Sequence, residues 1–265
     1  MNSVKKVSFL RGRVLTGVVV IFFLATSTSS ANAFHSWGNY HWARPGDSFT
    51  LQLGDNLAAS WKPFLATTSI DWTSSDKLNT SIIPGALLRK CGAKLGRVEV
   101  CNATYGSNGW LGIAQVWTNR SRHITQGTVK LNDTYFNLST YNTDAWKNLV
   151  MCQEVGHTLG LGHQDEDQNN PNLDTCMDYS NSPESNQHPN AHDYAQLVSI
   201  YSHFDASTTV GSTTTSVGKS PIANLEDPSS WGKSKSPKDS RGRSSHFELD
   251  LGNDEKVFTF VVWAD

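Results

Sequence analysis

The spacing of hydrophobic and polar positions changes period several times along this chain, and each change marks an element. Phe49, Leu51 and Leu53 alternate with polar neighbours over residues 48–53, which predicts a strand with one buried face. Leu57, Trp61, Phe64, Leu65 and Trp72 then recur at helical spacing. Pro63 is tolerated only in a first turn, so that helix should begin near Trp61. Extended segments are expected over residues 97–105, 110–117 and 124–131, punctuated by Gly106, Gly109 and Gly127. Thr143, followed by Asp144, is a suitable N-cap for a helix whose core face is Trp146, Leu149 and Val150. A second helix is read in residues 188–204 from Ala195, Leu197, Val198, Ile200, Tyr201 and Phe204, with His188 and His192 as surface or capping residues. Between the two helices, residues 164–174 are rich in Asp and Asn and contain Pro171. Their carboxylates could bind calcium, but no D-x-D-x-D-G loop is present and a solvated turn is expected.

The flanks have no such period. Residues 34–45 are aromatic and aperiodic, an N-terminal arm. Residues 206–245 are dominated by Ser, Thr, Gly, Lys and Pro and read as a linker. Residues 247–251 and 256–263 alternate again around Gly252-Asn253-Asp254, predicting a hairpin within 246–265. A lone hairpin is rarely stable, so it should pack back on the domain. At the other end, Lys5, Lys6, Arg11 and Arg13 precede the apolar run 14–25, and Ala31-Asn32-Ala33 offers a cleavage site. Residues 1–33 therefore read as a secretory signal peptide, with a mature chain starting at Phe34. The apolar run is too short for a membrane anchor, which needs about 20 residues. A secreted, extracellular protein is expected, with no membrane association after signal cleavage.

Composition changes this picture little. Lys and Arg total 22 against 24 Asp and Glu, a net charge of −2, and the basic residues between Lys233 and Arg243 are scattered among serines. No nucleic-acid partner is expected. All four cysteines, Cys91, Cys101, Cys152 and Cys176, lie in the exported part, so two disulfides are expected. Three connectivities are open. A cysteine-rich metal site is disfavoured because no C-x-x-C spacing occurs.

The chemistry concentrates in residues 151–167, M-C-Q-E-V-G-H-T-L-G-L-G-H-Q-D-E-D. Residues four apart on a helix share a face, so positions 153 and 157 can reach one metal ion. Glu154, one step round, can approach a metal-activated water. Gly160 can end the helix in a left-handed conformation, and the returning chain can bring in His163. Fourteen residues after His163 stands Met177, within Thr175-Cys176-Met177-Asp178-Tyr179. Glu154, His157, Gly160 and His163 match the offsets of H-E-x-x-H-x-x-G-x-x-H, and the later segment resembles a methionine turn. Together they resemble the metzincin metalloproteases (matrixin- or astacin-like), and the Met-x-Tyr form resembles the astacin and serralysin branches. The motifs run from about Thr143 to Tyr179, and the compatible pattern covers residues 48–204.

The resemblance implies an α+β fold: a twisted mixed β-sheet, an active-site helix, and a second helix after the methionine turn, in a catalytic domain over residues 34–205. It implies a secreted, monomeric zinc endopeptidase acting on peptide or protein substrates through one catalytic Zn2+. His157 and His163 would be ligands, Glu154 the general base, Tyr179 an oxyanion donor or extra ligand, and Met177 the floor of the site. It also favours the Cys152–Cys176 pairing, because both cysteines adjoin residues that meet beneath the metal, which leaves Cys91–Cys101. In such folds the strand ahead of the active-site helix forms the edge of the sheet. Residues 109–114 are the candidate, either as a peptide-binding edge or as an ordinary internal strand. No cysteine precedes Cys91, so a cysteine-switch latency is not available.

One position departs from the pattern. Gln153 stands where the first histidine belongs, and it offers zinc only a neutral carbonyl oxygen. Three outcomes are open: Gln153 ligates; Tyr179, a water or Asp165 takes its place; or the site holds no metal and the chain is a metzincin-like peptide- or protein-binding module.

Overall fold

The computed structural model describes Met1 and residues 34–88, 90–168, 170–213 and 224–264; the stretch read as a signal peptide lies, Met1 apart, outside them. The chain divides into two units, Met1–Asn32 and Ala33–Asp265. In the second unit the elements in order are β1 (His41–Trp42), β2 (Phe49–Asn56), α1 (Lys62–Thr73), β3 (Leu78–Pro84), β4 (Val98–Ala103), β5 (Trp110–Thr118) and β6 (His123–Asn132). After β6 come α2 (Asp133–Phe136), α3 (Asp144–Thr158), α4 (Ala191–Ile200), β7 (Lys233–Ser234), β8 (His246–Gly252) and β9 (Glu255–Trp263).

The alternation in β2 puts Leu51 and Leu53 wholly inside, and Pro63 falls in the first turn of α1, whose Trp72 is fully buried. Trp72 donates from Nε1 to the Cys152 carbonyl at 3.2 Å, which joins α1 to α3. The sheet order is β3-β2-β4-β6-β5-β9-β8-β7, with β1 also pairing with β6. Strands β3, β2, β4 and β6 run parallel, whereas β6, β5, β9, β8 and β7 are joined antiparallel. The fold is α+β with one mixed sheet. Strand β3 has no counterpart in the hydrophobic pattern. It lies at the end of the sheet, held by its backbone, and only Leu78 of its side chains is buried.

One open alternative closes here and one expectation changes. Residues 110–114 belong to an internal strand, because β5 has β6 on one side and β9 on the other, and all nine of its residues are buried. The sheet edge that a peptide could have extended is taken by the chain's own C-terminal hairpin. The linker reading also fails for residues 224–245. Trp231 is fully buried and donates to Leu225 O at 2.8 Å, while Trp110 and Gln115 donate to the carbonyls of Glu226 and Leu225 at 3.1 and 2.7 Å. One tryptophan and a run of backbone acceptors anchor a segment whose composition is otherwise that of a spacer.

The hairpin forms as expected. Gly252, Asn253 and Asp254 all have positive φ (83°, 54° and 59°) at its turn.

Disulfides join Cys91 to Cys101 and Cys152 to Cys176. Peptide mapping without reduction should recover those two cross-linked pairs, and a Cys101–Cys152 peptide would contradict the topology. Removing the Cys152–Cys176 bridge should cost about 2–5 kcal/mol, read as a lowered denaturation midpoint.

Candidate metal centre

Helix α3 begins where the Thr143 hydroxyl accepts the Trp146 N–H at 3.2 Å, with Asp144 next to it in the first turn. From Leu149 to Thr158 every residue is buried. The helix stops at Gly160, whose φ of +103° suits glycine; a side chain there would also meet the Tyr40 carbonyl at 2.7 Å. A helix end leaves carbonyls that need donors. Here the aromatic arm and the residue that caps the end of α4 supply them: Trp37 Nε1 to His157 O (3.3 Å), Trp42 Nε1 to Thr158 O (2.8 Å) and the Tyr201 hydroxyl to Leu159 O (2.9 Å). Gly162 N–H then donates to His35 O, which turns the chain back and delivers His163 against His157.

The two imidazoles meet edge to face, with Nε2 of His157 3.0 Å from Nε2 of His163. Their far nitrogens are anchored. His157 Nδ1 lies 2.8 Å from Leu161 O, and His163 Nδ1 lies 3.1 Å from Glu166 Oε1, which itself accepts from Ser245 Oγ at 2.6 Å. A carbonyl or carboxylate on one ring nitrogen fixes the tautomer and aims the lone pair of the other, the pattern typical of metal-bound histidine. Burial holds the His157 pKa well below the ordinary value, reinforced by His163, so the ring is neutral and its lone pair is free.

Gln153 is arranged in the same way. Its amide nitrogen donates to Cys176 O at 2.7 Å and Asp178 O at 3.3 Å, while its carbonyl oxygen is buried without a partner. The alternative ligands are engaged elsewhere: Asp165 accepts from Asp167 N–H and Asn170 Nδ2, and the Tyr179 hydroxyl donates to Val261 O. Two ring nitrogens 3.0 Å apart and the unpartnered amide oxygen that Gln153 supplies from α3 form a donor set that zinc can take up.

Glu154 is fully buried, and neither carboxylate oxygen has a hydrogen bond of full geometry. Burial pushes its pKa well above the ordinary value, offset only in part by the backbone of Val262 and Ala114. Gly112 of β5 passes so close that a Cβ there would lie 3.1 Å from Glu154 Oε1 and 2.4 Å from Val150. Met177 packs beneath α3: a Cβ on Gly156 would meet its sulfur at 2.5 Å and Trp72 at 2.7 Å.

The opposite side of the site is closed by the hairpin. Phe260 stacks on His157 (4.2 Å between centroids, 13° between planes), and His246 in turn stacks on Phe260 at 4.3 Å and 12°. Tyr179, its pKa raised well above the ordinary value by burial and then by Glu154 and Glu166, donates a hydrogen bond to the main-chain carbonyl of Val261 in β9. A cleft of about 520 Å3 reaches His163 along Trp37, Glu166, His246, Phe258 and Phe260, but Glu154, Gln153 and Tyr179 do not line it.

Each residue named from the motif is therefore found in one place: Gln153, Glu154 and His157 on α3, His163 after the turn at Gly160, Met177 beneath and Tyr179 beside His163. Sequence spacing missed Glu166, Gly156, Phe260 and His246. For Glu166 a signal existed, since a carboxylate three residues past a ligand can reach its second nitrogen. Phe260 is about a hundred positions from His157 and had none.

If Gln153 is a weak third ligand, Gln153→His should raise zinc affinity, because an imidazole nitrogen replaces a neutral amide oxygen. A gain beyond the roughly 10–100-fold that outer-shell partners carry is expected in a competitive chelator titration. Unchanged or weakened affinity would mean that position 153 faces away from the metal.

No protein-family model and no curated protein matches the chain. Among solved structures, it is similar to high choriolytic enzyme 1, a hatching enzyme zinc-protease from the medaka fish Oryzias latipes, with a TM-score of 0.35 and 9% identity over 63% of this chain and 96% of that one. A likeness of that size carries no weight for function.

Proposed function

We propose that this chain is an exported zinc-dependent endopeptidase whose peptide groove is filled, in this state, by its own C-terminal hairpin. The convergence of His157 Nε2 and His163 Nε2 at 3.0 Å, with both Nδ1 atoms anchored, is what supports it most. His157, His163 and Gln153 hold the metal. Bound zinc supplies polarisation of the scissile carbonyl and acidification of the attacking water. Glu154 takes the proton from the attacking water and returns it to the leaving amine nitrogen. Tyr179, released from Val261 O, donates to the carbonyl oxygen as it gains negative charge. Strand β5 binds the substrate by main-chain pairing where β9 now pairs.

The filled groove also favours a second reading, a peptide-binding module that cuts nothing. Incubating zinc-loaded protein with an unstructured protein substrate separates the two. Hydrolysis abolished by a chelator and restored by zinc supports the peptidase. Saturable binding of the substrate with no cleavage at any zinc level supports the module.

A further inference from the structure

A second group of ligand-type side chains lies apart from the site above. Three separate stretches of chain supply it. His41 is in β1, His123 opens β6 and is the register partner of His41, and His203 and Asp205 follow α4. Asp205 Oδ1 is 3.3 Å from His41 Nε2, 3.1 Å from His123 Nε2 and 3.8 Å from His203 Nε2. His203 Nε2 is in turn 3.1 Å from His41 Nε2. Donors held about 2.0–2.1 Å from one zinc ion in a tetrahedron are roughly 3.3 Å from each other. The separations of Asp205 from His41 and from His123 match that edge, and the ligand atoms of these three residues all lie within 4.8 Å of one another.

The rings are set for convergence. His41 lies edge-on to both His123 (68°) and His203 (83°), so the ring nitrogens point inward while the faces do not stack. The outer atoms are engaged. His41 Nδ1 lies 3.0 Å from Asn39 O, and Asp205 Oδ2 accepts the Arg44 N–H at 3.0 Å, while Asp205 N–H donates to Arg44 O at 2.8 Å. With its proton on Nδ1, His41 turns a lone pair toward Asp205 Oδ1. Two acceptors then face each other across 3.3 Å, a gap that a metal ion fills or that a second proton on His41 closes. The His203 side chain is 51% exposed, which leaves a way in for a metal, while those of His41 and Asp205 are each 9% exposed.

We propose that His41, His123 and Asp205 form a zinc site, distinct from His157 and His163 and with His203 at its mouth, that fastens the N-terminal arm to β6 and to the segment after α4. The arm also carries Trp37, Trp42 and His35, which hold the end of α3 and the turn to His163. A metal at its base stiffens that support from a distance. The site is independent of whether the chain cuts peptides.

The test is zinc stoichiometry by elemental analysis of the full mature chain after zinc loading and gel filtration. The double variant His203→Ala/Asp205→Asn should bind one zinc fewer than the unaltered protein and show a smaller rise in Tm with zinc. In the reciprocal variant, His157→Ala/His163→Ala, one zinc should remain, and Co2+ in its place should give the intense visible absorption of tetrahedral cobalt. Equal zinc content with and without His203 and Asp205 would overturn the proposal, as would a folded reciprocal variant that holds no zinc. If the reciprocal variant does not fold, the first comparison alone decides. A cluster serving only as protonated imidazoles paired with Asp205 would leave the stoichiometry unchanged, and that result also overturns it.

Discussion

Phe260→Ala is expected to raise peptidase activity by about 10²–10³-fold while lowering the Tm. The Phe260 ring stacks on His157 and is buried with Trp37 and His246 around it. Truncating a buried Phe costs about 3–5 kcal/mol. That loss falls on the docked hairpin, because Phe260 is the side chain that β9 places over His157. Each 1.4 kcal/mol shifts a closed–open equilibrium about tenfold, and activity follows the open fraction while that fraction is small. The assay is kcat/KM on an unstructured protein substrate, with Tm measured in parallel. A lower Tm with no gain in activity would show that the hairpin is only a structural part of the sheet.

Glu154→Gln is expected to lower activity by about 10²–10⁴-fold, the usual contribution of a positioned general base, while zinc content stays the same. The same substitution has a second consequence in the metal-free protein. Burial raises the carboxyl's folded pKa above 4.5, so the folded chain keeps a proton that the unfolded chain has released. A group of that kind contributes its stability below its unfolded pKa and loses it as the pH rises toward the folded value. Glutamine does not titrate. The variant should therefore gain stability over the parent as the pH rises above about 4.5 toward the raised folded value, by at most about 1.4 kcal/mol per pH unit. Urea midpoints across that range measure it, and a constant difference between the two proteins would contradict the buried, unpaired state of Glu154.

Much of the scaffold was legible because local rules governed it. Thr143 caps α3, Pro63 opens α1, Gly160 takes the left-handed turn, and Gly252 to Asp254 form the hairpin bend. The shared face of Gln153 and His157, the ligands proposed here, was legible because helical spacing alone brings positions 153 and 157 together. What could not be read depended on partners far along the chain. Nothing local in β9 distinguishes a strand that caps β5 from one that packs elsewhere, so the filling of the groove by Phe260, and the use of Tyr179 by Val261, came only from the fold. The arm over residues 34–45 was unreadable for the opposite reason. Its aromatic residues serve as hydrogen-bond donors to the end of α3, and that role imposes no period. Strand β3 escaped because an end strand needs few buried side chains.

Zinc is expected to bind between the end of α3 and the returning chain, and anomalous diffraction at the zinc edge from zinc-loaded crystals tests this most directly. A peak about 2.0–2.2 Å from His157 Nε2, His163 Nε2 and Gln153 Oε1 is predicted. Crystals that hold zinc elsewhere, with His157 and His163 still in contact and no peak between them, would contradict it.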